Sequence, residues 1–241
     1  MPFIVLQHIH VEHPGIFRDF MKNDGIGLDT IELDEGDPIP EMDGYDAMIV
    51  MGGPMDTWEE EIHPWLITEK TAIRHAIMDL KMPYLGFCLG HQLMAAALGG
   101  EVGKMATPEV GILDIELNTA GQSSLLFSGL PDRIKTLQWH GAEVTEPPPD
   151  SVILARSPLC AIQALQYGDT AFSMQCHIEI TDTTVTDWGK VPEYKESLEQ
   201  TLGAGSLEIL NDKSLQNMTD FNHSARIIYN NFMQALKRHS G

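Results

Sequence analysis

Basic residues, cysteines and long apolar runs are all scarce in this chain, and each scarcity removes a class of function. Only 15 Lys and Arg stand against 35 Asp and Glu, a formal charge of −20 over 241 residues. A surface of that sign repels phosphate backbones and anionic headgroups, so no nucleic acid and no membrane is expected as a partner. Solubility is the plainer reason for the charge. Cys88, Cys160 and Cys176 are an odd number of cysteines at unrelated spacings. They make neither a disulfide framework nor a zinc-ligand pattern, and they fit a reducing cytosol. No window approaches the roughly 18 uninterrupted apolar residues of a membrane span. Residues 1–7 lack the basic leader and small-residue cleavage site of a secretory signal and read as a first strand. A cytoplasmic location is the expectation.

What is present is ordinary in bulk and specific in detail. Hydrophobic residues at 43% and charged residues at 21% are normal for a globular chain of a length that builds a sizeable core. Residues 1–190 alternate short apolar runs with amphipathic segments, the pattern of a largely parallel sheet with helices on both faces. Residues 3–6, 45–51 and 82–87 read as buried strands. Residues 15–23, 63–81 and 91–98 read as helices, stopped by Gly25, Pro83 and the Gly99–Gly100 pair. Residues 102–157 alternate more strictly and carry three consecutive prolines from Pro147, which predicts a small antiparallel extension. Residues 192–202 predict a helix, and a longer one follows in which Met218, Phe221, Ala225, Ile228 and Phe232 make a single packing stripe. No flexible linker sets this C-terminal extension, about 191–241, apart from the core of about 1–190. One domain over 1–241 is therefore expected.

Three short stretches carry chemistry. The first places Cys88 between Gly86 and Gly90 where a strand becomes a helix. Glycines on both sides permit a tight, strained turn with the sulfur exposed, and the helix start favours thiolate over thiol. The second is residues 172–180, whose clean alternation predicts a strand. Ser173, Gln175, His177 and Glu179 share one face, and Phe172, Met174, Cys176, Ile178 and Ile180 the other. A carboxylate one pleat from an imidazole orients it and stabilises its protonated form. An antiparallel strand with one wet face shows the same alternation, so this pattern gains its meaning only beside Cys88. Thiol chemistry needs a base, and the base needs an orienter. The third is Gly52–Gly53–Pro54 at the end of an apolar strand. Such a turn exposes a backbone N–H to a reacting oxyanion, with a second from Leu89 beside the nucleophile. The order of the residues separates the chain from α/β-hydrolases, in which the acid precedes the histidine. Proteins of the DJ-1/PfpI type resemble the elbow but place histidine directly after the cysteine, where Leu89 stands here.

Taken together, Gly-Gly-Pro at 52–54, Gly-Phe-Cys-Leu-Gly-His-Gln at 86–92 and Gln-Cys-His-Ile-Glu at 175–179 resemble the class I glutamine amidotransferase family. Within it the chain is similar to the free-standing, GMP-synthase-like branch, a placement supported by residues 51–60, 63–66 and 138–141. The resemblance implies a flavodoxin-like domain with a triad of Cys88 as nucleophile, His177 as general base and acid, and Glu179 as orienter. It implies an oxyanion hole from the amides of Gly53 and Leu89, and a γ-glutamyl pocket including Gly52, Gln92, His140 and Gly141. Its substrate would be glutamine or another γ-glutamyl compound, and a separate synthase subunit would accept the ammonia. Two alternatives stay open: a stand-alone γ-glutamyl hydrolase, peptidase or transferase, and a catalytically silent binding or regulatory module. Two positions depart from the family pattern. Ile178 stands where proline is usual, which lets the strand continue and changes the angle between His177 and Glu179. Ala142 stands where an acid is common after Trp-His-Gly. The run His8, His10, Glu12, His13 has the short spacing of zinc ligands, but similar runs occur in this family without a metal role. No metal and no cofactor is expected.

Overall fold

Short runs of Phe, Ile, Val and Leu, buried on both faces, make the centre of the molecule. In the computed structural model, which describes residues 2–239, the first such run is β1 (Pro2–Gln7), where Phe3, Ile4, Val5 and Leu6 are wholly buried. It is followed by α1 (Phe17–Asn23), β2 (Gly27–Glu32), β3 (Ala47–Val50), α2 (Trp65–Met78), β4 (Tyr84–Phe87) and α3 (Leu89–Ala97). Next come β5 (Glu101–Leu117), the short α4 (Thr119–Ser123), β6 (Arg133–Glu146), β7 (Ser151–Arg156), β8 (Ala164–Tyr167) and β9 (Ala171–Met174). Helices α5 (Thr184–Trp188), α6 (Pro192–Leu202) and α7 (Ser206–His239) complete the order.

All strands join one nine-stranded sheet in the order β2-β1-β3-β4-β9-β8-β7-β5-β6. The stretch from β2 to β9 is parallel, and its order is that of a flavodoxin-like open sheet. From β9 onward every pairing is antiparallel, with β5 and β6 forming a long hairpin whose register breaks between Lys104 and Glu109. The expected antiparallel extension is this half of the sheet.

The two-residue period of β1 sorts its side chains between two cores. Phe3 and Val5 pack with Phe17 of α1 and with Ala225, Ile228 and Phe232 of α7. Ile4 and Leu6 pack with Ile73 of α2 and Leu93 of α3 on the other face. A third cluster joins Val110 and Trp139 of the long hairpin to Trp188, Tyr194 and Phe221 of the C-terminal helices. The stripe expected on α7 thus divides: Met218 and Phe221 pack with the hairpin cluster, and Ala225, Ile228 and Phe232 pack with Phe3 and Val5 of the parallel sheet. Helix α3 ends as expected, with Gly99 at φ +92° and the Gly100 amide returning to the Ala95 carbonyl at 2.8 Å.

Three elements differ from the sequence expectation. Strand β2 is an unread edge strand; only Ile31 of its side chains is buried, so no apolar run marks it. Helix α2 begins at Trp65 because Pro64 occupies its N-cap. The strand expected over residues 172–180 ends at Met174; beyond it an isolated bridge pairs His177 with Leu137, and single backbone bonds join Gln175 to Gln163 and Glu179 to Ile16. Among the described residues no helix is long and apolar enough to cross a membrane.

Phe232 is wholly buried and meets Phe3 edge-to-face at 6.5 Å. Phe232→Ala is expected to cost about 3–5 kcal/mol of unfolding free energy in urea titrations; a loss below about 1 kcal/mol would contradict this packing.

Candidate active site

Cys88 is the N-cap of α3, and its backbone is strained. Its φ of +49° and ψ of −103° place a side-chain-bearing residue where such residues rarely sit, a conformation costing of order 1–3 kcal/mol. Two backbone hydrogen bonds hold it there. The Cys88 amide donates to the Met174 carbonyl at 2.9 Å, and the Gly90 amide donates to the Met51 carbonyl at 3.0 Å. A Cβ on Gly90 would fall 2.2 Å from the Val50 oxygen, so α3 approaches β3 this closely only through glycine.

Past β9 the chain still alternates although it is no longer a ladder strand. Cys176 and Ile178 enter the core below, while Gln175, His177 and Glu179 turn toward Cys88. His177 Nδ1 donates to Glu179 Oε1 at 2.6 Å, and the Ile178 amide donates to Glu179 Oε2 at 2.9 Å. The departure at Ile178 therefore does not extend the strand. It supplies an N–H, absent from proline, that pins the second oxygen of the carboxylate. Trp188 meets the His177 ring edge-to-face at 4.7 Å, and Gly15 packs so tightly on the Glu179 backbone that a Cβ there would lie 1.7 Å from its carbonyl oxygen.

The Cys88 thiol and His177 are close enough to shift each other's ionisation, and the ring's Nε2 has no hydrogen-bond partner among the described residues. Gln175 Nε2 lies 3.6 Å from Sγ. Burial pushes the Cys88 thiol above its ordinary value, against the pull of His177. Desolvation thus opposes the thiolate that the helix start was expected to favour. Burial would also lower His177, but the Glu179 carboxylate and the Cys88 sulfur reverse this and raise it well above the usual histidine range. Cys160 and Cys176 are buried free thiols, the former pushed up to about 12 by burial, and both are core residues as expected.

A cavity of about 100 Å³ opens over Cys88, lined among others by Gly53, Leu89, Gln92, His140 and Gly141. Neither the Gly53 nor the Leu89 amide has an acceptor among the described residues. Gly52 lies behind the turn instead of on the cavity wall, with its carbonyl turned to His8. The Gln92 amide nitrogen donates to the Ala142 carbonyl and to Gln175 Oε1 at 3.2 and 3.1 Å, which fixes that side chain. His140 Nδ1 is 2.9 Å from the Ala142 carbonyl, and its Nε2 is 3.3 Å from the buried Glu109.

Comparison with known proteins gives the chain its family. A family model described as glutamine amidotransferase class-I matches residues 16–187. The chain belongs to the class I glutamine amidotransferase family. This amidotransferase-family chain is 33% identical over 162 residues to a GMP synthase (glutamine-hydrolyzing) subunit of Sulfurisphaera tokodaii, covering 66% of itself and 80% of that protein. It is 34% identical over 148 residues to the longer GMP synthase of Aeropyrum pernix, of which it spans 26%. Its fold matches a solved glutamine amido transferase from Methylobacillus flagellatus with a TM-score of 0.86 at 30% identity, over 97% of this chain and 94% of that one.

Several residues of this family member's site carry no site role in the sequence, although Glu12 stands in the short His8–His13 run. Glu12 is buried, accepts a hydrogen bond from the Tyr194 hydroxyl, and lies near enough to His177 and His8 to feel both. Glu69 reaches in from α2 to His8. No local spacing links residues 182 positions apart, so only an acid at an otherwise apolar helix position, as at Glu69, was available as a signal. The short His8–His13 run resolves into separate partnerships. His8 binds Glu69 and Gly52, His13 Nδ1 accepts from the Gly15 amide, and His10 is exposed.

The raised ionisation of His177 depends on Glu179. In Glu179→Gln the ring's titration midpoint, followed by NMR, is expected to fall, because the imidazolium loses its carboxylate partner. The protonated ring then disappears at lower pH than in the wild type. An unmoved midpoint would show that the pair is not coupled.

Proposed function

We propose that the protein hydrolyses the γ-carboxamide of glutamine through a γ-glutamyl thioester on Cys88, releasing glutamate and ammonia for an acceptor on another polypeptide. The observation that carries this reading is the convergence of Cys88, the His177–Glu179 pair and two acceptor-free amides on one small cavity.

In its neutral form His177 takes the Cys88 proton as Sγ attacks the carboxamide carbon, and its raised proton affinity favours that transfer. As the S–C bond forms, the carbonyl electron pair moves onto oxygen, and the Gly53 and Leu89 amides receive that oxyanion. Collapse of the tetrahedral species breaks the C–N bond, and the proton held on His177 passes to the departing nitrogen. Water then attacks the thioester with His177 again as base, and glutamate leaves as the thiol is restored. Glu179 acts through His177, holding Nδ1–H and stabilising the imidazolium. Gln92, His140 and Gly141 form the wall against which the γ-glutamyl group rests. Ala142 brings no charge, so the carboxylates of Asp56 and Glu193 on the cavity lining take the part of facing the substrate's α-ammonium. The similarity to a protein named as one subunit of GMP synthase supports a separate synthase as the consumer of ammonia.

One feature favours a second reading. A groove of about 600 Å³ between the β5 bend and α6 shares Glu193 and Ser197 with the cavity over Cys88. A substituent on the γ-nitrogen would extend into it, as a stand-alone γ-glutamyl hydrolase, peptidase or transferase requires.

Cys88→Ala is expected to lower turnover by at least about 10⁴-fold with folding intact; wild-type rates in that variant would remove both readings. Assays without any partner separate them: slow glutaminase activity supports the amidotransferase, and brisk cleavage of a larger γ-glutamyl amide supports the stand-alone enzyme. Failure of a glutamine-analogue electrophile to label Cys88 would instead mark a silent module.

A further inference from the structure

We propose that the buried His8–Glu69 ion pair is a positioning device for oxyanion stabilisation: it holds the Gly52 carbonyl so that the Gly53 amide faces the cavity over Cys88. This role rests on the reaction proposed above, and it falls to two residues that reach neither the thiol nor the cavity lining.

The covalent geometry of one peptide unit carries the connection. No described peptide bond is cis, so the Gly52 carbonyl and the Gly53 N–H point in opposite directions across a rigid plane. His8 Nδ1 lies 2.9 Å from the Gly52 oxygen. Gly53 lines the cavity together with Cys88 and Leu89, and its amide has no acceptor among the described residues. Whatever anchors the carbonyl therefore aims the amide. The two glycines do not aim it themselves, since a Gly-Gly unit rotates more freely than any other. Nor is there room for stiffer residues. A Cβ on Gly52 would fall 2.0 Å from Glu12 Oε2, and one on Gly53 would fall 2.6 Å from the Met55 sulfur and 2.9 Å from His8 Cβ. Orientation has to come from outside the turn.

His8 provides it. Its Nε2 lies 2.8 Å from Glu69 Oε1, and both side chains are wholly buried. One acceptor on each ring nitrogen demands two N–H groups, which is the imidazolium. Burial works against that charge, but Glu69, the Gly52 carbonyl and Glu12 outweigh it. A charged donor forms the shorter and stronger hydrogen bond to the carbonyl. Trp65 stacks on the ring at 5.5 Å and 16°, which fixes the ring plane. Two apolar side chains would fill the same space without the desolvation cost of a buried ion pair, but they would bring no donor to Gly52.

The test compares two reactions of the same thiol in the full-length protein. Hydrolysis of glutamine, or of the γ-glutamyl amide the wild type cleaves fastest, builds an oxyanion; alkylation of Cys88 by iodoacetamide, a displacement at saturated carbon, does not. His8→Leu is expected to lose about 10²–10³ in kcat, the effect of losing one oxyanion donor, with KM and alkylation rate within about threefold of wild type. His8→Asn, whose carboxamide N–H stands near the place of Nδ1, is expected to recover at least about tenfold of that loss. A His8→Leu kcat within about threefold of wild type overturns the proposal, and so does an equal loss of turnover and alkylation, which signals general damage. Should His8→Leu not fold, the near-isosteric Glu69→Gln decides in the same two assays: about tenfold lower kcat with unchanged alkylation supports the role, and unchanged kcat overturns it. A wild type that cleaves no γ-glutamyl amide refutes the reaction itself, a result distinct from an active wild type with an equally active His8→Leu.

Discussion

The hydrogen bond from the Cys88 amide to the Met174 carbonyl holds the candidate site together. It ties the strained elbow after β4 to the end of β9, from which the chain runs on to His177 and Glu179. The companion bond from the Gly90 amide to the Met51 carbonyl ties the same elbow to the end of β3, where the Gly52–Gly53 turn begins. Because β3, β4 and β9 are adjacent and parallel, their carboxyl ends open on one edge, where ligands bind in open α/β sheets. Sheet order alone thus brings an amide turn, a sulfur and an imidazole side by side.

Around that edge the chain solves an electrostatic problem with little basic residue to spend. Glu69, Glu109 and Glu179 are all buried, and each is matched by a buried histidine: His8, His140 and His177. Glu12 is matched by the Tyr194 hydroxyl. Such buried pairs are weak sources of stability because desolvation offsets their attraction. The His177–Glu179 pair holds its ring through a hydrogen bond to Nδ1. The formal −20 charge, by contrast, resides mostly in exposed acids and governs solubility more than fold.

The parallel strands, the main helices and the antiparallel extension were legible because burial on both faces demands apolar runs, and half-burial demands alternation. Strand β2 was not, since an edge strand with few buried side chains carries no such signature. The segment after Met174 shows the opposite failure. Its alternation is that of a strand, and the side chains do sort to two sides, but its backbone meets separate neighbours at Gln163, Leu137 and Ile16 and forms no continuous ladder with any of them. Ile178 read as a perturbation of the His177–Glu179 angle, whereas its amide proves to be one of the two donors that hold Glu179.

By itself the sequence determined most of the elements, their order and the three motifs, because local periodicity and glycine punctuation depend on neighbours in the chain. Only the tertiary structure decided the ionisation of Cys88, since desolvation is a property of everything packed around the sulfur. The same holds for Glu12, Glu69 and Tyr194: their partners are distant in the chain, and a hydrogen bond between remote residues leaves no spacing to read.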